Sequence, residues 1–177
     1  MKNDFESVPF VLAISGVKNS GKTTLLENII PLLKQTGLLV AAIKHDSHDF
    51  EFDVPGTDSR RLFEAGADGI AVYSPHKSML ALKGEPTVED LISHFKGFDL
   101  VLLEGNKHSS YKKIEIVRRA ISDKPVCNPA TLIALYTDTD CEIEGIKNIS
   151  FGDYDAVAAC IFEALNKYKQ SLSAARS

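Results

Sequence analysis

Apolar residues in this chain gather into short continuous runs separated by glycine-rich, proline-rich or charged segments. Phe10-Val11-Leu12-Ala13-Ile14, Leu38-Leu39-Val40-Ala41-Ala42-Ile43, Leu100-Val101-Leu102-Leu103 and Leu132-Ile133-Ala134-Leu135-Tyr136 are uninterrupted. Such runs predict parallel strands covered on both faces. Ile114-Glu115-Ile116-Val117 and a short Ile149-Ser150-Phe151 add two further strands. Helical spacing alternates with them. Leu25, Leu26, Ile29, Ile30 and Leu33 mark a first helix closed by Gly37, with Pro31 predicting a kink because it cannot donate to the carbonyl of Glu27. Thr57 or Asp58 caps a short helix ending near Gly66, and Thr87 with Asp90 opens another through Phe95. A last helix begins near Asp153 and carries Val157, Ile161, Phe162 and Leu165. Ile70–Tyr73 and Met79–Leu82 flank Ser74-Pro75-His76-Lys77-Ser78, which predicts one antiparallel hairpin. Strands alternating with helices predict a single α/β domain over 1–177, its sheet mostly parallel with helices on both faces, plus that hairpin. The polar ends, 1–8 and 171–177, read as disordered.

The segment between the first strand and the first helix carries the strongest chemical signal. Gly16-Val17-Lys18-Asn19-Ser20-Gly21-Lys22-Thr23, followed by Thr24, has the G-x-x-x-x-G-K-T pattern of a phosphate-binding loop, so the fold expected is of the P-loop NTPase type. Glycines let the backbone turn tightly enough for successive N–H groups to face phosphate oxygens, and the helix N-terminus favours the anion. Gly16, Lys18, Asn19, Ser20, Gly21, Lys22, Thr23 and Thr24 are the expected nucleotide-binding residues. Lys22 is suited to the β- and γ-phosphates and the Thr23 hydroxyl to Mg²⁺.

Glu104 ends an apolar run, which delivers its carboxylate to the mouth of the sheet, there to hold the metal or orient a water. Asp46 follows the second run and lies across the phosphate site from Glu104 if both strands flank the first. Lys22, Glu104 and Asp46 are therefore the catalytic candidates, and Thr23, Asp46 and Glu104 the metal ligands. His45 and His48, beside Asp46 and Asp49, have no Cys or His pair downstream, which favours a polar loop over a transition-metal site. Lys107, Lys112, Lys113, Arg118 and Arg119 form a basic stretch suited either to a second anion or to a solvated strand. Arg60 and Arg61 suit charge stabilisation or surface pairing equally. Thr137-Asp138-Thr139-Asp140 occupies the place of a guanine-reading turn but lacks its lysine; Asp138 or Asp140 can accept guanine N–H groups, which permits guanine without requiring it.

Composition narrows the setting. A net charge of −4 gives no support for nucleic-acid binding, and no apolar run is long enough to span a bilayer. Cys127, Cys141 and Cys160 are odd in number and far apart, as expected of reduced, buried thiols in a cytoplasmic protein.

Taken in order, the phosphate loop at Gly16–Thr24, Lys44-His45-Asp46 with His48, Gly56-Thr57-Asp58-Ser59 with Arg61, Ala65-Gly66-Ala67, Asp99–Gly105 with Lys107, and the Lys113–Arg118 strand resemble the MobB family, molybdopterin-guanine dinucleotide biosynthesis protein B. The likeness covers about residues 10–120 and is weaker beyond. It implies a GTP-binding accessory protein of molybdenum-cofactor maturation, dimeric and with weak Mg²⁺-dependent GTPase activity. It also implies molybdopterin or its guanine dinucleotide as a ligand and a partner nucleotidyltransferase of the MobA type. Two other readings of the same loop are a small-molecule kinase, with Asp46 as general base, and a metallochaperone GTPase using His45 and His48.

Overall fold

The computed structural model describes residues 8–46, 50, 51 and 53–175. Contacts divide the chain into two compact units, Met1–His45 with Leu91–Ser177, and Asp46–Asp90.

The larger unit is built on β1 (Phe10–Gly16), β2 (Val40–Lys44), β5 (Leu100–Glu104), β6 (Lys112–Val117), β7 (Leu132–Thr137) and β8 (Lys147–Ser150). All pairings are parallel, in the order β2-β5-β1-β6-β7-β8. β1 is thus flanked by β5 and β6, with Ile14 beside Glu104 and Gly16 beside Ile116. β2 pairs with β5 and not with β1, so it forms one edge of the sheet. Its burial alternates, with Ala41 and Ile43 buried and Ala42 and Lys44 exposed. The expectation of a strand covered on both faces therefore fails for β2. Leu38 and Leu39 lengthen the apolar run but precede the strand, and what remains is a one-sided edge.

The two long helices, α1 (Lys22–Gln35) and α4 (Tyr154–Ala175), share one core. Leu25, Leu26, Ile29 and Leu33 meet Val157, Ile161 and Leu165 over Leu12, Ile14, Leu102, Ile114, Ile116 and Tyr136. A second cluster joins Val117, Cys127, Leu132 and Leu135. α1 runs through Pro31 without a break and closes at Thr36, whose N–H bonds the Leu33 carbonyl; Gly37, at φ 85°, then bonds Lys34. The tail read as disordered from Ser171 is helical through Ala175. Alanine favours the helix, the Ser171 hydroxyl bonds the Tyr168 carbonyl, and Lys169 pairs with Asp99 at 2.8 Å. Asp99 also accepts the Leu39 N–H, which ties α4 to the starts of two strands. The cysteines are free thiols, Cys127 and Cys160 buried and Cys141 half-buried.

The smaller unit holds α2 (Asp58–Glu64), β3 (Gly69–Tyr73) and β4 (Ser78–Leu82), the last two forming a separate antiparallel sheet. Thr57 caps α2 by accepting the Arg60 N–H. α3 (Val88–Ser93) crosses the boundary between units. It starts with a reciprocal box in which Thr87 N–H bonds Asp90 and Asp90 N–H bonds Thr87. No residue of α2, β3 or β4 is buried.

Candidate functional site

The phosphate loop takes the backbone form that its glycines allow. Gly16 stands at φ 143°, Asn19 at 62° and Gly21 at 96°. A Cβ at Gly16 would lie 2.8 Å from both the Ile116 carbonyl and the Ser20 hydroxyl, so no other residue fits there without displacing the loop. Gly21 is the N-cap of α1 and offers no side-chain acceptor, which leaves the first amides of the helix open to an anion.

Side chains of the larger unit converge on this loop. Lys22 Nζ donates to the Val17 carbonyl at 2.8 Å, and Thr23 Oγ1 donates to Glu104 Oε1 at 2.8 Å. Burial holds the Lys22 ammonium below the usual lysine range, against the opposing pull of the Glu104 carboxylate, while Lys107 adds to the lowering. Ser15 Oγ donates to the Gly105 carbonyl, and Gly105 N–H returns a bond to Ile14, so the segment after β5 is laced to β1. Thr23 and Glu104 supply two hard oxygens in contact, a donor set that suits Mg²⁺ better than a soft metal.

The buried side-chain polar atoms without a partner, among the described residues, are Ser20 Oγ, Asn106 Nδ2 and Arg118 Nε. Each lies just past the carboxyl end of one of the three central strands, β1, β5 and β6. Buried donors and acceptors are almost always satisfied, so three left open at the mouth of one sheet mark where a ligand would sit.

Beneath the loop is a fully paired polar layer. Lys113 is buried, and its ammonium donates to the carbonyls of Ser109 and Tyr111. Glu115, also buried, accepts the N–H groups of Val126 and Cys127. Burial pushes the Cys127 thiol up to about 12, reinforced by Glu115. Lys113 therefore works inside the fold, not as part of a basic surface.

Asp46 and His45 are exposed past the end of β2, which pairs with β5 in a register that sets Lys44 opposite Glu104. His48 and Asp49 lie outside the described residues. Among those described, no three His, Cys, Asp or Glu side chains gather to hold a metal. Asp138 accepts the Arg119 backbone N–H at 2.7 Å, and Asp140 pairs with the Arg119 guanidinium at 3.0 Å. Arg60 pairs with Glu51 and Glu64, and Arg61 with Asp58, as surface bridges. Asn106 is the residue that the sequence reading missed. A glycine and asparagine directly after a strand-end acid are the available signal, and both adopt positive φ, 97° and 52°.

A family model described as molybdopterin guanine dinucleotide synthesis protein B matches residues 11–138. A molybdopterin-guanine dinucleotide biosynthesis adapter protein of Escherichia coli (strain K12) is 31% identical over 166 residues, 89% of this chain and 94% of the relative. Its counterpart in Haemophilus influenzae is 36% identical over 120 residues, 66% of this chain and 67% of the relative. Among solved structures, Bacillus subtilis MobB superposes with a TM-score of 0.68 at 27% identity, covering 85% of this chain and 96% of that one. A molybdopterin-guanine biosynthesis protein B structure superposes with a TM-score of 0.66 over 88% and 99%; at 22% identity it speaks to the fold alone.

Proposed function

The chain belongs to the MobB family of molybdopterin-guanine dinucleotide biosynthesis, and on that premise we propose that it is a GTP-binding adapter with weak Mg²⁺-dependent GTPase activity. It serves a partner nucleotidyltransferase of the MobA type that joins a guanine nucleotide to molybdopterin. The observation that carries the nucleotide reading is the open phosphate loop, with Lys22 inside it and Thr23 against Glu104.

In this reading the loop amides and Lys22 bind the phosphate chain, and Lys22 exchanges the Val17 carbonyl for a phosphate oxygen. Thr23 and Glu104 would hold Mg²⁺, which supplies charge neutralisation at the β- and γ-phosphates when bound. Glu104 also orients a water towards the terminal phosphate. Guanine is preferred because the family acts on a guanine dinucleotide; Asp138 and Asp140 serve the base only by sharing their carboxylates with Arg119. The protein works as a cytoplasmic homodimer. No described helix is long and apolar enough to cross a membrane.

Titration of the full chain with GTP and with ATP in Mg²⁺ tests this directly, GTP being expected to bind more tightly. Lys22→Ala removes the charge facing the β- and γ-phosphates and should abolish tight binding while leaving the fold intact; Glu104→Gln should cut hydrolysis far more than stability. Undiminished triphosphate binding by Lys22→Ala would sink the reading.

A further inference from the structure

Arg118 is the first residue after β6, the strand that runs beside the phosphate-loop end of β1. Its guanidinium carbon lies 4.5 Å from the centre of the Phe151 ring. That ring rests in turn on buried Tyr136, centroid to centroid 4.8 Å, and the Tyr136 hydroxyl accepts the Gly152 N–H at 2.7 Å. The seat under the guanidinium is therefore fixed. Stacking uses the face of the guanidinium and leaves the donors in its plane free. Among the described residues Arg118 forms no ion pair, and its Nε is buried without an acceptor. Its Nη1 reaches the phosphate loop, within 3.8 Å of where a Cβ on Gly21 would stand. Arg119 is the contrast, since its guanidinium pairs with the Asp140 carboxylate while its backbone N–H donates to Asp138. Of two consecutive arginines, one pairs with a carboxylate. The other is held by aromatic carbon at the start of α1, where the open amides already favour an anion.

We propose that Arg118 is a binding residue for the phosphate chain of the nucleotide, a cation delivered from the β6 side that closes over the Gly21 end of the loop. This rests on the reading of Gly16–Thr24 as a nucleotide phosphate loop. Because it reads phosphate and not base, its contribution extends to any ligand with a diphosphate.

Isothermal titration of the full chain with Mg²⁺·GTP, Mg²⁺·GDP and inorganic pyrophosphate tests it. Arg118→Gln, and Arg118→Met, which keeps the apolar contact with Phe151, should each weaken all three ligands roughly tenfold or more, as loss of a charge-assisted hydrogen bond does. Arg118→Lys should recover part of that loss, and unliganded thermal unfolding of the methionine variant should match the parent. Unchanged binding of all three ligands by Arg118→Met would overturn the proposal. So would a loss confined to the nucleotides with pyrophosphate unaffected, since that places Arg118 on the base or sugar. A parent protein that binds none of the three would instead remove the phosphate-loop reading on which the proposal stands.

Discussion

Cys127 sits in the polar layer under the phosphate loop, in contact with buried Glu115, and holds its proton up to about 12 against an ordinary 9.0. An unfolded chain releases that proton near 9.0, so above this pH the folded state binds more protons than the unfolded one. The stability this provides is complete below 9.0 and is lost as pH rises towards 12. Lys113 acts in the opposite direction, because burial holds its ammonium below the usual range. Cys127→Ala should therefore flatten the fall of melting temperature with pH above 9.0, measured by thermal unfolding against the parent. A fall as steep as the parent's would mean that other groups, such as Cys160, dominate the alkaline transition. At this scale Lys22, Thr23 and Glu104 were legible because each has a fixed place relative to the loop motif or the end of an apolar run. Asn106 was not, since an unpaired buried atom is defined by what fails to surround it, and Arg118 was named only as one of five basic residues with nothing to set it apart. Lys113 misled for a related reason: a lysine among lysines looks solvated until its carbonyl partners are seen.

At the scale of elements, α1 carries a local contradiction. Pro31 is exposed at mid-helix, lacks an N–H for the Glu27 carbonyl, and still sits inside an unbroken helix because Leu25, Leu26, Ile29 and Leu33 are anchored in the core. Pro31→Ala should restore that bond with no loss of packing and stabilise the protein by about 1–3 kcal/mol, read from chemical denaturation. No gain would show that the helix relieves the proline elsewhere. Strands and helices were mostly legible, since runs, caps and turn residues agree for β1, α1, the β3–β4 hairpin and α4. Strand order was not. Nothing local in Val40–Lys44 says that β5 will stand between it and β1, or that Lys44 will lie opposite Glu104.

For the molecule as a whole, the unit Asp46–Asp90 is the exception to good burial. Its hairpin is two strands only, marginal in isolation, and one face presents Leu80 and Leu82, more than half exposed, beside Tyr73 at 85%. Met79 belongs to the other face, opposite Val72, so Leu80 and not Met79 is the residue a partner would cover. The proposed homodimer would be built through this hairpin, each copy supplying the strand partner and apolar cover that the other lacks. Leu80→Lys should shift the protein towards monomer in light scattering, with Mg²⁺·GTP binding retained. A parent that is monomeric at high concentration would exclude this assembly.

The parallel sheet also sets a timetable. Phe10 pairs with Leu100 and Leu12 with Lys112, so the strand that carries the phosphate loop has no neighbour until those distant strands are made. Loops of that length close slowly, and contacts so distant in sequence delay folding until β5 and β6 are made. The loop's residues are made before the strands that flank β1, so they have no sheet to stand in until β5 and β6 follow. A nascent chain halted before Val117 exposes β1 and the apolar face of α1 together, a substrate for chaperones and not yet for nucleotide. Ligand binding is thus a property that arrives all at once, after both strands that flank β1 have been made.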